Sequence, residues 1–158
     1  MQSSTARFAG GLSVLAGVIF IVAGVATWFL VTTNLSEQRI TVAEDASFLA
    51  GDDVNGPFSA FAQAQVINEH ALAATDGRTY AELGADVAAA EEAGDTALAE
   101  ELQQQRTTVM NASFLRASLF TSVLAYGVCA LVAGLGVLLL LIGGGLRSLA
   151  GARVPLTE

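Results

Sequence analysis

The sequence predicts an all-α membrane protein: two transmembrane helices in an antiparallel hairpin, joined by an extracytoplasmic helical loop domain. Three observations carry this prediction. Phe8 to Ser36 and Ala117 to Leu146 contain no charged residue, and each run exceeds the roughly 20 residues that span a hydrocarbon core about 30 Å thick. Fourteen of the fifteen acidic residues lie between Glu37 and Glu101, so nearly everything anionic falls between the runs. Backbone in lipid must satisfy its own hydrogen bonds, which makes each run a helix. The expected organisation is a cytoplasmic N-terminus 1–7, a first span 8–32, an acidic extracytoplasmic domain 33–114, a second span 115–146 and a cytoplasmic tail 147–158.

The first span is bounded by Arg7 and closes near Trp28 and Phe29, Trp being typical of the membrane–water interface. Removal as a secretory signal is the competing reading, with Gly24 and Ala26 as small residues before a cleavage site; the run is long for a signal core, so retention is expected. Orientation rests on the flanking arginines. Arg7, Arg147 and Arg153 favour both termini in the cytoplasm of a multi-pass protein of the cell membrane, against Arg39 and Arg116 at the opposite ends.

Between the spans, Asn34 to Ala50 reads either as an extended segment around Ile40-Thr41-Val42 or as a continuation of the helix. Gly51-Asp52-Asp53-Val54-Asn55-Gly56-Pro57 is the clearest break, with Pro57 suited to the first turn of a helix. From Phe58 to about Ala74, Phe58, Phe61, Ala64, Ile67, Ala71 and Leu72 recur at helical spacing. Asp76-Gly77 ends that helix, and Thr79-Tyr80-Ala81-Glu82 matches a capping box. The helix it opens is expected to break at Gly84 and again at Gly94-Asp95. From Thr96 onward nothing interrupts a helix until deep in the second span. The Ala/Glu/Gln-rich stretch 88–105 reads as a solvated helical face with no catalytic signature. The domain is small, and its apolar residues are mostly Ala, so it is expected to lean on a partner or on the bilayer surface. Its fourteen carboxylates against four arginines repel phosphates and exclude nucleic acid as a natural partner.

Within the spans, glycine spacing is the strongest pattern. Gly10, Gly17 and Gly24 repeat every seven residues; Gly127 and Gly134 do the same with Ala130 between them. Small residues let helices approach closely in lipid, and a seven-residue period suits slightly inclined left-handed packing. The two spans either pack on each other through these stripes or present one to a neighbouring subunit. Gly143-Gly144-Gly145 is expected to end the second helix. Neither span holds a buried charge, the usual marker of an ion pathway.

The remaining candidates divide into bland and sharp readings. Arg116, at the mouth of the second span, either snorkels to the headgroups or anchors an anionic group of a partner. His70 is the single histidine and supplies no metal site with scattered carboxylates, so a solvated surface role is expected. Asp52, Asp53 and Asn55 miss the spacing of a calcium loop and read as turn formers. Cys129 is the single cysteine, inside the second span, which excludes an intrachain disulfide. Asn111-Ala112-Ser113 matches a glycosylation acceptor but lies almost at the membrane.

Taken together, Asn34-Leu35-Ser36-Glu37, Ile40-Thr41-Val42, Gly56-Pro57-Phe58, Ala62-Gln63-Ala64, Thr79-Tyr80-Ala81-Glu82-Leu83 and the run from Ala112 to Ser122 resemble a family of small actinobacterial two-span membrane proteins. These proteins often carry the label "aromatic ring-opening dioxygenase". Such an enzyme holds a non-haem iron, typically by two histidines and a carboxylate; this chain has one histidine, so the activity does not follow from the likeness. No catalytic residue, metal ligand or cofactor is assigned. The expected role is a non-catalytic accessory or structural subunit, self-associating or part of a larger envelope or respiratory complex. Gly10, Gly17, Gly24, Gly127, Ala130 and Gly134 would pack helices, and Phe58, Phe61, Ile67, Tyr80 and Arg116 would contact a partner. The alternative is an extracytoplasmic ligand-binding or sensor module with a pocket lined by Phe58, Phe61, Tyr80 and Leu83.

Overall fold

The computed structural model describes residues 2–151, with side chains from Ser4 onward. Arg153 and Glu158, used above for the C-terminal tail, lie outside the described residues. Four helices and their connections make up the described chain: α1 (Gln2–Glu37), α2 (Pro57–Ala73), α3 (Tyr80–Glu92) and α4 (Thr96–Gly151). No strand forms among the described residues; one isolated antiparallel bridge joins Thr41 to Asp53.

The uncharged runs fall inside α1 and α4, and both helices are long and apolar enough to cross a membrane. Both extend beyond the uncharged runs. α4 runs without interruption through Gly143-Gly144-Gly145, where the sequence suggested a stop. A helix-interior glycine costs only about 1 kcal/mol relative to alanine, and Gly143 sits where the backbone of α1 leaves no room for a side chain.

The chain forms two compact units, Thr32–Leu124 and the paired ends Met1–Val31 with Ala125–Glu158. In the paired ends, Gly10 lies against Gly143, Gly17 against Gly136, and Gly24 against Cys129 and Ala133. Rising numbers on α1 meet falling numbers on α4, so the helices run antiparallel. Trp28 meets Tyr126 edge-on, ring centroids 4.6 Å apart.

In the unit Thr32–Leu124, α1 ends at Glu37 and the chain turns through Arg39 at φ 51°. The following segment is neither helix nor strand, but it is tied down. Val54 N–H donates to Ile40 O, Val42 N–H to Asp52 O, and Gly51 N–H to Val42 O. Val42 and Val54 are fully buried. Pro57 opens α2 after the Gly56 cap. At the start of α3 the capping box is formed as its residue types predict: Glu82 N–H donates to Thr79 Oγ1, and Thr79 N–H donates to Glu82 Oε2 at 2.8 Å. Gly84 does not break the helix. The break comes at Gly94, whose φ of 75° suits glycine; Gly94 N–H donates to Glu91 O and Asp95 N–H to Ala90 O, a pairing that closes the helix end. Asp95 Oδ1 then accepts from Leu98 N–H and caps α4.

The core of this unit is Leu83, Val87 and Ala90 of α3 against Ala99, Leu102 and Val109 of α4. Three of these residues, Ala90, Ala99 and Leu102, belong to the Ala/Glu/Gln-rich stretch read above as a solvated face. Its helices do carry acidic outer faces, but Ala90 of α3 and Ala99 and Leu102 of α4 turn inward.

Candidate functional site

The contact between α1 and α4 is built backbone to backbone. A Cβ placed on Gly17 would lie 2.6 Å from Gly136 O, and one on Gly10 would lie 2.8 Å from Gly143 O. Only glycine permits such an approach. Ser13 adds a hydrogen bond, its Oγ donating to Leu139 O at 2.8 Å. The glycines of α4 that meet α1 are Gly136 and Gly143, not Gly127 and Gly134. A Cβ on either of the latter would meet nothing within 4 Å. Both pairs are seven apart, so spacing alone does not choose between them; the choice follows from register against Gly10 and Gly17. Ala130 is exposed and borders a crevice with Gly24, Val25, Trp28, Cys129 and Ala133.

In the other unit, α2 turns mainly its small residues inward, Ala64 and Ala71 of the helical spacing among them. Ser59, Ala60, Ala62, Ala64, Val66 and Ala71 are buried, while Phe58 is 74% exposed and Phe61 38%. Small side chains let α2 lie close to its neighbours, and the bulky Phe side chains are left outside. Ile67 is half-buried. Arg116 reaches across to α2, its Nε donating to Ala64 O at 3.2 Å, with the guanidinium 5.7 Å from the Phe120 ring. It therefore braces α2 within the chain. Phe61 stacks edge-on against Phe120 at 5.9 Å and meets Phe48 at 6.3 Å.

Tyr80 lies beneath the Arg106 guanidinium, 4.2 Å from carbon to ring centroid. Arg106 Nε is buried with no hydrogen-bond partner among the described residues, so the Tyr80 face offsets part of its desolvation. Leu83 is fully buried in the cluster that joins α3 to α4. Tyr80 and Leu83 thus serve the α3–α4 contact, whereas Phe58 lines an open hollow with Leu49, Asp52, Asp53 and Pro57. Of the four residues suggested for one pocket, Tyr80 and Leu83 are thus at the α3–α4 contact, Phe58 lines this hollow, and Phe61 packs against Phe48 and Phe120.

His70 Nε2 lies 2.6 Å from Asp45 Oδ2, both side chains exposed. This hydrogen bond holds the Asp45 carboxyl below its ordinary range; Glu82 is lowered likewise, by the Thr79 N–H and hydroxyl. Arg78 donates to Gln105 Oε1 at 2.7 Å and to Asp86 Oδ2 at 3.4 Å. Among the described residues no group of three His, Cys, Asp or Glu side chains is placed to hold a metal ion. Sequence reasoning missed Gly136, Gly143, Gln63, whose Oε1 accepts from Ala43 N–H, and the Arg78–Gln105 link. Only the glycines left a signal, in their spacing. Comparison with protein-family models, with curated proteins and with solved structures finds no match.

Proposed function

We propose that this chain is a two-span protein of the cell membrane, with both termini in the cytoplasm and the acidic unit outside, acting as a non-catalytic accessory or structural subunit of a membrane assembly. Lipid is the solvent that suits its surface: Leu15, Val22, Phe29, Leu131 and Leu141 are each more than half exposed along the uncharged runs. In water such continuous apolar surface drives association.

The observation that carries the subunit reading is the second small-residue face of α4. One glycine face is consumed by α1, while Gly127, Ala130 and Gly134 leave another without contacts at either glycine. Close approach by a further helix is what such a face accommodates. The occupant is a second copy or a span of a larger envelope or respiratory complex. The test is purification in mild detergent with mass spectrometry, alongside oxidative cross-linking of Gly134→Cys in a Cys129→Ala background. A stoichiometric co-purifying protein or a cross-linked dimer is expected. A lone monomer that forms no cross-link in native membranes overturns the proposal.

A further inference from the structure

We infer that the Phe58 end of α2, together with the Phe48-Leu49 turn, is seated in the interfacial layer of the bilayer, between headgroups and acyl chains. The inference rests on reading the uncharged runs as membrane spans.

The direction of α2 is the first argument. Ala64 meets Arg116 and, one turn earlier on α2, Phe61 meets Phe120 further along α4. Moving toward the start of α2 therefore means moving along α4 into the uncharged run that begins at Ala117. Phe58 lies one more turn in that direction along α2, and Leu124 one more turn along α4; both are largely exposed.

The second argument is the distribution of side chains along the unit. At the Phe58 end, Phe48 is 40% exposed and touches Phe61, while Leu49 shares its hollow with Phe58. At the far end of α2 stand Glu69 and the exposed His70–Asp45 pair. Apolar and aromatic groups thus collect where α4 becomes uncharged, with Asp52 and Asp53 at the border of their hollow. Aromatic side chains at the level of a span's end belong to the membrane–water boundary. A partially inserted apolar helix end gains in proportion to the area removed from water.

Charge selects the lipid. Asp52 and Asp53 border the hollow beside Leu49 and Phe58, so the surface suits zwitterionic headgroups and repels anionic ones.

The experiment uses the full chain in nanodiscs of phosphatidylcholine brominated near the headgroup end of its acyl chains. In a Trp28→Phe background, a single Trp is introduced as Phe58→Trp, Leu49→Trp, Leu124→Trp or Glu69→Trp. Quenching of F58W and L49W to at least about half the extent of L124W is expected, with E69W unquenched, since bromine acts only on close contact with an inserted ring. Replacing half of the lipid by equally brominated phosphatidylglycerol is expected to reduce the F58W and L49W signals while leaving that of L124W unchanged. If L124W is quenched while F58W and L49W behave like E69W, the inference fails and a protein partner covers this surface. If L124W itself escapes quenching, the membrane reading fails and takes this inference with it.

Discussion

Glycines set the closest contacts between α1 and α4. Gly17 and Gly136 are irreplaceable because each faces backbone: a Cβ at Gly136 would lie 2.7 Å from Gly17 O. Overpacking a close contact typically costs about 1–3 kcal/mol, so Gly17→Val is expected to lower the thermal midpoint in mild detergent by that equivalent. Gly127→Ala, whose Cβ meets nothing, is expected to leave the midpoint of the isolated chain unchanged; circular dichroism melts check both. Asp45 supplies the second test. Its carboxyl, lowered from 3.8 by the His70 hydrogen bond, contributes local order that is complete above the unfolded value. That contribution fades as pH falls through the lowered folded value. Both groups are exposed, so global stability barely responds. An NMR titration is expected to place Asp45 below 3.8 in the native chain and return it toward 3.8 in His70→Ala. Identical titrations would mean that the contact does not form in solution.

At the scale of elements, α3 is the informative case, because its weak sequence is rescued from both ends and one side. Its thirteen residues are too few to stand alone as a helix in water. The Thr79 cap contributes on the order of 1 kcal/mol, and Leu83 fixes the helix onto α4 through complete burial. Leu83→Ala is expected to cost about 2–5 kcal/mol, and Thr79→Ala about 1. Hydrogen exchange across α3 checks both, with Leu83→Ala exposing the whole helix and Thr79→Ala chiefly its first turn. Equal protection in Leu83→Ala and the native chain would show that the α3–α4 core is not the source of order. α2 shows the converse case. Its helical spacing was plain in the sequence, but not which of the spaced residues the chain itself buries: Ala64 and Ala71 turn inward, while Phe58 and Phe61 stay exposed. The contact demanded small side chains, and Ala60, Ala62 and Ala64 carry too little hydrophobic signal to announce themselves.

For the whole molecule, the proposed topology makes one decisive prediction. In a Cys129→Ala background, Glu92→Cys is expected to react with a membrane-impermeant maleimide on intact cells, and Ser148→Cys only after lysis. Both positions are exposed. The reverse pattern inverts the orientation, and labelling of both on intact cells denies the spans. The two long helices, the break at Gly51 to Pro57 and the cap at Thr79 were all legible in the sequence, because each follows from local chemistry. Absence of charge, turn formers and a hydroxyl three residues before a carboxylate act without knowledge of the fold. The core of the acidic unit was hidden, since an Ala/Glu/Gln-rich stretch of low complexity carries few large apolar residues to mark a buried side.

The sequence by itself determined that two uncharged helices enclose a strongly acidic helical unit, because composition decides which solvent a segment tolerates and hydrogen bonding then decides its conformation. Tertiary structure alone decided which of two equally spaced glycine pairs meets α1, which face of α2 turns inward, and that Arg116 braces Ala64. Those are matters of register between elements distant in the chain, and periodicity within one helix is unchanged by rotating or sliding it against another.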